Sequence, residues 1–177
     1  MRKVILQVAV SLDGYIEGPN GEYDWCFTDQ DYGMSDFYKR IDSMFIGRKS
    51  YELLLTMDDA DMPGLPELTT YVFSTTLTDV KPGVILISEE TEAAVKQIKS
   101  GPGKDIWLFG GADLTASLLS LGLIDEIILA VHPILLGAGK PLAGNLKNRI
   151  PLTLADTKTY SSGLVMLTYT LDQKCRL

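Results

Sequence analysis

Apolar and polar positions alternate in blocks along this chain. Val4–Val10 is an aliphatic, β-branched run broken only by Gln7, the pattern of a buried strand. Ser11-Leu12-Asp13-Gly14 turns the chain into a loop containing Gly18-Pro19-Asn20-Gly21. Ser35–Ile41 predicts a helix with Ser35 as its cap and Phe37, Tyr38 and Ile41 on one side. Ser43–Ile46 predicts a short buried strand ending at Gly47, and Ser50–Leu55 a short helix. Asp58–Leu68 carries two prolines and predicts an irregular loop, after which Tyr71–Phe73 and Val84–Ile87 read as strands.

In the second half, Ser88 is placed to cap a helix over Glu89–Lys99. Glu89 and Glu90 would sit in its first turn, Lys96 and Lys99 in its last, and Gly101 after its end. Ile106–Phe109 is a strand that stops at Gly110-Gly111. Ala112–Leu121 is a helix with Leu114, Leu118 and Leu121 on one face, closed by Gly122. Ile124–Val131 is a further strand, succeeded by a long connection carrying Gly137, Gly139, Pro141 and Gly144. Leu152–Leu154 and Gly163–Leu171 end the pattern, the latter alternating Leu167, Tyr169 and Leu171 with Thr168, Thr170 and Asp172. Strands alternating with helices predict an α/β fold: one domain over residues 1–177, with a mostly parallel sheet, helices on both faces and an antiparallel C-terminal edge.

Composition narrows the function classes. Hydrophobic residues make up 46% of the 177 and charged residues 22%, ordinary for a globular chain. The net charge of −7 argues against general nucleic-acid binding. No apolar run approaches the ~20 residues of a membrane span, and Val4–Val10 is too short for a secretory leader. Cys26 and Cys175 stand far apart and in no CxxC, so neither a disulfide framework nor a zinc knuckle is expected; a reducing cytoplasm is the default. The one histidine, His132, excludes two-histidine metal motifs. GxSxG, GxxxxGK[ST] and GxGxxG are all absent.

Three strand ends carry candidate chemistry. In Gly47-Arg48-Lys49-Ser50 a strand gives way to a helix, whose free N–H groups and two adjacent cations suit a phosphate; a solvated Arg-Lys pair after a tight turn is the plain alternative. Ser74 and Thr75 come after another strand, where hydroxyls bind phosphate or ribose, or cap the next turn. Gly110, Gly111, Ala112 and Asp113 join a strand to a helix, and paired glycines let backbone approach a pyrophosphate or simply make the turn. All three lie at carboxyl ends of strands, where ligands of open α/β sheets bind. Together they suit an extended, phosphate-rich ligand.

Ser11–Ile16, Ile46–Glu52, Leu108–Ala112 and Pro133–Leu142, in this order, resemble the reductase (C-terminal) domain of the riboflavin-biosynthesis protein RibD and its stand-alone relatives. The resemblance covers nearly the whole chain. It implies a dihydrofolate reductase-like three-layer α/β/α fold, NADPH as cofactor and a homodimer. It implies that Ala9 and Ile16 flank the nicotinamide, that Gly47, Arg48, Lys49 and Ser50 bind phosphates, and that Ser74 and Thr75 lie near the adenosine phosphate. Gly110, Gly111, Ala112 and Asp113 would pass under the pyrophosphate. Gly137 and Gly139 would close over the substrate side, with Lys140 available for a substrate phosphate.

The implied reaction is hydride transfer to a small polar heterocyclic or sugar-linked substrate, as in 5-amino-6-(5-phosphoribosylamino)uracil reduction. A dihydrofolate or pteridine reductase and a non-catalytic NADPH-binding protein are the alternatives. Dihydrofolate reductases place a carboxylate on the first helix. Asp29, Asp31 and Asp36 compete for that place, with Asp31 favoured by its spacing from Trp25 and a surface acid or helix cap the alternative for each. Trp25 and Tyr15 can stack on a flat ring, with ordinary packing the plain alternative for both. His132, before Pro133, reads as structural, and Cys26 as unreactive. No metal site is expected.

Overall fold

The computed structural model describes residues 1–57, 64–144 and 146–171. Most of the Asp58–Leu68 segment, and Asp172 and Cys175, therefore lie outside the described residues. In chain order the first elements are β1 (Val4–Ser11), β2 (Tyr15–Glu17), α1 (Met34–Arg40), β3 (Ile41–Gly47) and α2 (Arg48–Leu54). Next come β4 (Thr69–Phe73), β5 (Ile85–Ile87), α3 (Thr91–Ser100), β6 (Asp105–Gly110) and α4 (Ala112–Ser120). β7 (Glu126–His132), β8 (Lys140–Pro141), β9 (Leu152–Thr159) and β10 (Val165–Leu171) complete the fold.

Eight strands form one sheet in the order β5-β4-β3-β6-β1-β7-β10-β9. Every pairing from β5 to β7 is parallel, and β10 runs antiparallel to both β7 and β9. Successive side chains of β1 leave on opposite faces. Val4, Leu6 and Val8 meet Val95 of α3 and Leu114 and Leu118 of α4. Ile5 meets Phe37 of α1, with Met44 and Trp107. Tyr51 and Leu54 of α2 cover Ile46 and Val72, which lie on the same face as Met44. The result is the expected three-layer α/β/α arrangement. Among the described residues no helix is long and apolar enough to cross a membrane.

The amino-terminal ends of the strands are tied by ions. The Arg2 guanidinium is buried and donates to Asp42 and to Ser43 Oγ. Lys99 is buried and donates to Asp125 at 2.6 Å and to the Leu123 carbonyl at 3.1 Å. Asp125 also accepts from the Val4 amide, so this pair fixes where β1 begins. Arg40, at the end of α1, bridges Glu126 at 2.9 Å and Asp105 at 3.8 Å.

Several local expectations need correction. Ser35 lies inside α1; the position before the helix is Gly33, and Asp31 accepts from the Gly33 amide and from the Ser35 amide and hydroxyl. Ser88 does not cap α3. Glu90, in left-handed backbone, precedes Thr91, and Glu92 is the first-turn acid, pairing with Lys96. The chain uses Ser88–Glu90 to pass from the sheet edge to its face. β9 runs on to Thr159 through Asp156-Thr157-Lys158, because pairing with β10 holds residues that have no apolar alternation of their own. β2 and β8 fall where the sequence predicts loop, and they form a separate antiparallel pair.

Candidate active site

The strand register brings the carboxyl ends into one row. Phe73, ahead of Ser74, lies beside Gly47; Ile46 lies beside Gly110; Ser11 lies beside His132. The three sequence-predicted segments are therefore neighbours on one edge.

At the centre, two glycine turns press together. A Cβ added to Gly111 would lie 3.3 Å from Ser50 Oγ and 3.7 Å from the Gly47 Cα. A Cβ on Gly47 would lie 3.6 Å from the Gly110 carbonyl and from Leu114 Cβ. Gly110 and Gly111 have φ of +129° and +88°, conformations that residues with side chains rarely adopt. The seam leaves two helix starts side by side with bare backbone between them. Because the first N–H groups of a helix have no carbonyl partners within it, Ala112 and Asp113 at the start of α4 offer donors to an anion. Gly47, Ser50, Gly110 and Gly111 line this seam, whose chemistry suits an anion such as a pyrophosphate.

Arg48 is half-buried beside this seam and donates to both Glu52 oxygens at 3.0 and 3.4 Å. Lys49 is exposed. A second phosphate must compete with Glu52 for the guanidinium, whereas Lys49 has no such partner among the described ion pairs. Ser74 Oγ accepts from the Thr76 and Leu77 amides, so it holds its own turn; Thr75 is exposed next to it.

On the other side of β1, Ser11, Asp13 and the Pro133–Leu142 segment form one unit. Asp13 accepts from Ser11 Oγ at 2.7 Å and from the amides of Leu136 and Gly137 at 3.1 and 2.7 Å. These bonds, led by Ser11, hold its carboxyl below the ordinary carboxylate range. Gly139 (φ +144°) lies so close to the Glu17 carbonyl that any Cβ would overlap it. The β2–β8 pair and the Lys140–Glu17 ion pair at 3.4 Å complete the junction. Lys140 thus reaches a substrate phosphate only by leaving or sharing Glu17. Ala9 and Ile16, half-buried on β1 and β2, flank the turn.

His132 is buried with both nitrogens engaged, Nδ1 with the Ala130 carbonyl at 2.9 Å and Nε2 as acceptor from the Phe27 amide at 3.1 Å. Burial lowers its pKa, so the ring is neutral, and it meets Trp25 edge-on at 5.3 Å and Phe27 at 5.0 Å. This is a structural role: His132 anchors the segment that presents Trp25. Burial and nearby Asp24 push the Cys26 thiol up to about 11, which leaves it unreactive.

Asp31 is exposed, and its three acceptor bonds serve the start of α1. They hold its carboxyl below the ordinary range, with Ser35 the main cause. An ionised capping carboxylate is a poor proton donor, so the geometry does not support the catalytic role expected for Asp31. Asp36 pairs with Lys39 on the surface, and Asp29 accepts from the Tyr32 hydroxyl.

A cavity lies beside α1, with Asp36, one of the three candidate carboxylates, among its lining residues. About 240 Å³ of space lies between α1 and the sheet, floored by Gln7, Ile128 and Thr168 and walled by Met34, Phe37 and Met166. Its sequence signal is Gln7, the polar interruption in an otherwise apolar β1. Among the described residues no group of acids, cysteines and histidine is placed to hold a metal ion.

Known proteins are similar to this chain in sequence and fold. The family model described as the RibD C-terminal domain matches residues 2–166. YyaP of Bacillus subtilis (strain 168), itself uncharacterized, is 43% identical over 95% of this chain and 94% of its own. A candidate riboflavin biosynthesis protein from Shewanella sp. PV-4 superposes with a TM-score of 0.82 at 26% identity, covering 97% of this chain and 99% of that one. The dihydrofolate reductase of Enterococcus faecalis, solved with NADP(H), shares the fold at a TM-score of 0.69 and 16% identity, covering 97% of each chain. With a dihydrofolate reductase-like sheet, a glycine seam at its carboxyl edge and a match across nearly its whole length, this chain belongs to the RibD C-terminal domain family.

Proposed function

We propose that the protein is an NADPH-dependent reductase of the riboflavin-biosynthesis type, acting on a C=N or C=O bond of a small, flat, polar substrate. The observation that carries this reading is the seam between Gly47 and Gly111, where backbone replaces side chains at two adjacent helix starts. Family membership supports the reductase class.

NADPH, when bound, supplies the hydride. Gly110, Gly111, Ala112 and Asp113, with Gly47 and Ser50 across the seam, would hold the pyrophosphate, and Arg48 and Lys49 would supply charge for the extra phosphate. Ser74 and Thr75 stand next to the adenosine end. Ala9 and Ile16 flank the nicotinamide through their backbone. Asp13 holds the Leu136–Gly137 turn in place, and Trp25, braced by His132, closes the substrate side and excludes water. Lys140 contributes charge near a substrate phosphate. His132 has no free nitrogen and Asp31 is ionised, so another carboxylate near α1 or a bound water would supply the proton. A homodimer belongs to the same reading: all eight β9 residues are exposed, Leu152 and Leu154 among them, on a free sheet edge.

Titration with NADPH and NADH, monitored by Trp25 and Trp107 fluorescence, tests the reading. Micromolar NADPH binding with clear preference over NADH is expected, then NADPH oxidation with 5-amino-6-(5-phosphoribosylamino)uracil. No binding of either nucleotide would overturn it. Turnover of dihydrofolate instead would move the substrate assignment to pteridines.

A further inference from the structure

A second cavity lies on the face of the sheet opposite α1, between α3 and the strands β4 and β5. Its volume of about 410 Å³ falls within the roughly 300–1,000 Å³ of small-molecule sites. Tyr71 of β4 and Ile87 of β5 form one wall, and Ala94, Gln97 and Ile98 of α3 form the other. Arg2 completes the lining from the amino-terminal end of the sheet. No lining residue is shared with the glycine seam or with the cavity beside α1.

Arg2 is only 9% exposed, yet its guanidinium is not fully used. Nε donates to the Lys104 carbonyl at 2.5 Å, and Nη2 donates to Asp42 and to Ser43 Oγ. Nη1 meets no acceptor among the described residues. Every fully buried side-chain polar atom among those residues has a hydrogen-bond partner, so Nη1 is an atom that a ligand or water reaches through the cavity. The turn after α3 fixes its position: a Cβ on Gly103 would lie 3.1 Å from Arg2 Cζ. The Tyr71 hydroxyl and the Gln97 side-chain amide also enter no hydrogen bond among the described residues.

The local charges favour an anion. Asp42 is 38% exposed and divides its acceptance between Arg2, the Ser43 hydroxyl and the Lys104 amide. Lys104 joins none of the described ion pairs, and neighbouring Asp105 faces Arg40. The carbonyls at the end of α3, which would repel an anion, are engaged: Ile98 by the Gly101 amide and Lys99 by the Arg2 amide.

We propose that this cavity is a second binding site, for a small carboxylic acid with an aromatic or branched apolar body. The carboxylate accepts charge-assisted hydrogen bonds from Arg2 Nη1 and from the Tyr71 hydroxyl or the Gln97 amide. The body packs against Ile87, Ala94 and Ile98. Because Arg2 ties the start of β1 to β3 through Asp42 and Ser43, a ligand that completes its hydrogen bonds stabilises the folded chain. The site is independent of the reductase reading.

Calorimetric titration with 3-phenylpropionate and with 3-phenylpropionamide, whose head is uncharged, tests the assignment. The wild-type protein should bind the carboxylate about tenfold more tightly than the amide, melt at a higher temperature in its presence, and keep that affinity under saturating NADPH. Gln97→Glu, at an exposed position, adds a like charge to the lining. It should weaken the carboxylate about tenfold while leaving the amide and the ligand-free melting temperature unchanged. Ala94→Trp, which fills the cavity, should abolish binding of both. The proposal is overturned if the carboxylate does not bind, if the amide binds as well, if NADPH displaces the carboxylate, or if either variant keeps wild-type affinity for it. Carboxylate binding without NADPH binding would support this site and sink only the reductase reading.

Discussion

The two ends of the central sheet are built from opposite materials. At the amino-terminal end, Arg2, Arg40 and Lys99 each meet a carboxylate, and Lys99 and Glu126 are buried in doing so. At the carboxyl-terminal end the same strands finish in glycines, short turns and backbone amides, with Arg48 tied to Glu52 four residues on. The amino end pairs its charges internally and so fixes strand order. The carboxyl end keeps donors and cations that a ligand can claim. Damage to the first should show in stability and damage to the second in binding.

The largest effect is expected at the ionic end. Lys99→Met removes the buried cation that Asp125 and the Leu123 carbonyl meet beside the start of β1. It should cost about 3–5 kcal/mol by urea denaturation, with NADPH affinity unchanged in whatever remains folded. A loss below about 1 kcal/mol would mean that the two ends are not distinct.

Gly111→Ala comes next. It forces a Cβ against Ser50 Oγ at positive φ, so NADPH binding should fall by about two orders of magnitude while stability drops by about 1–3 kcal/mol. Arg48→Ala should leave stability within about 0.5 kcal/mol, since an exposed i,i+4 pair contributes little. It should weaken NADPH about tenfold or more and NADH much less; equal losses for both nucleotides would remove the phosphate role.

The smallest effect is a pH slope. His132 is held neutral by burial, with its folded pKa below the ordinary 6.5. Its contribution is complete above that value and is lost as pH falls through the folded pKa, because the unfolded chain binds the proton first. Melting temperature should therefore decline as pH drops below about 6.5. His132→Gln should flatten that slope at some overall cost in stability. Asp13 acts in the same direction at lower pH: its depressed carboxyl holds the Leu136–Gly137 turn above pH 3.8 and releases it as protonation proceeds below.

Legibility from sequence tracks the source of each element's stability. β1, β6 and α4 carry their own apolar patterns and appear where those patterns predict them. The Gly110-Gly111 turn is visible because only glycine suits its backbone. β2 and β8 are three and two residues long, held by each other and by the close approach of Gly139 to Glu17, and no local periodicity encodes that. Residue type alone points to Ser35 and Ser88 as caps, yet Asp31 satisfies the start of α1 from outside the helix and Glu90 precedes α3. The same bonds explain why Asp31 stands out as an acid: the carboxylate is prominent in sequence, but its hydrogen bonds are used locally. The cavity over Gln7 depends on the register of four strands, which a single segment cannot reveal.

β1 sits between β6 and β7, whose first residues are Asp105 and Glu126. During synthesis, the strand that will occupy the middle of the sheet leaves the ribosome long before either flanking partner exists. At roughly 5–20 residues per second, its neighbours arrive on the order of 5–20 s later. Until then a nearly unbroken aliphatic segment is exposed with nothing to pair with. The polar Gln7 and the cationic Arg2-Lys3 ahead of it are the features that keep this segment from sticking to its like. A nascent-chain chaperone would find a target here.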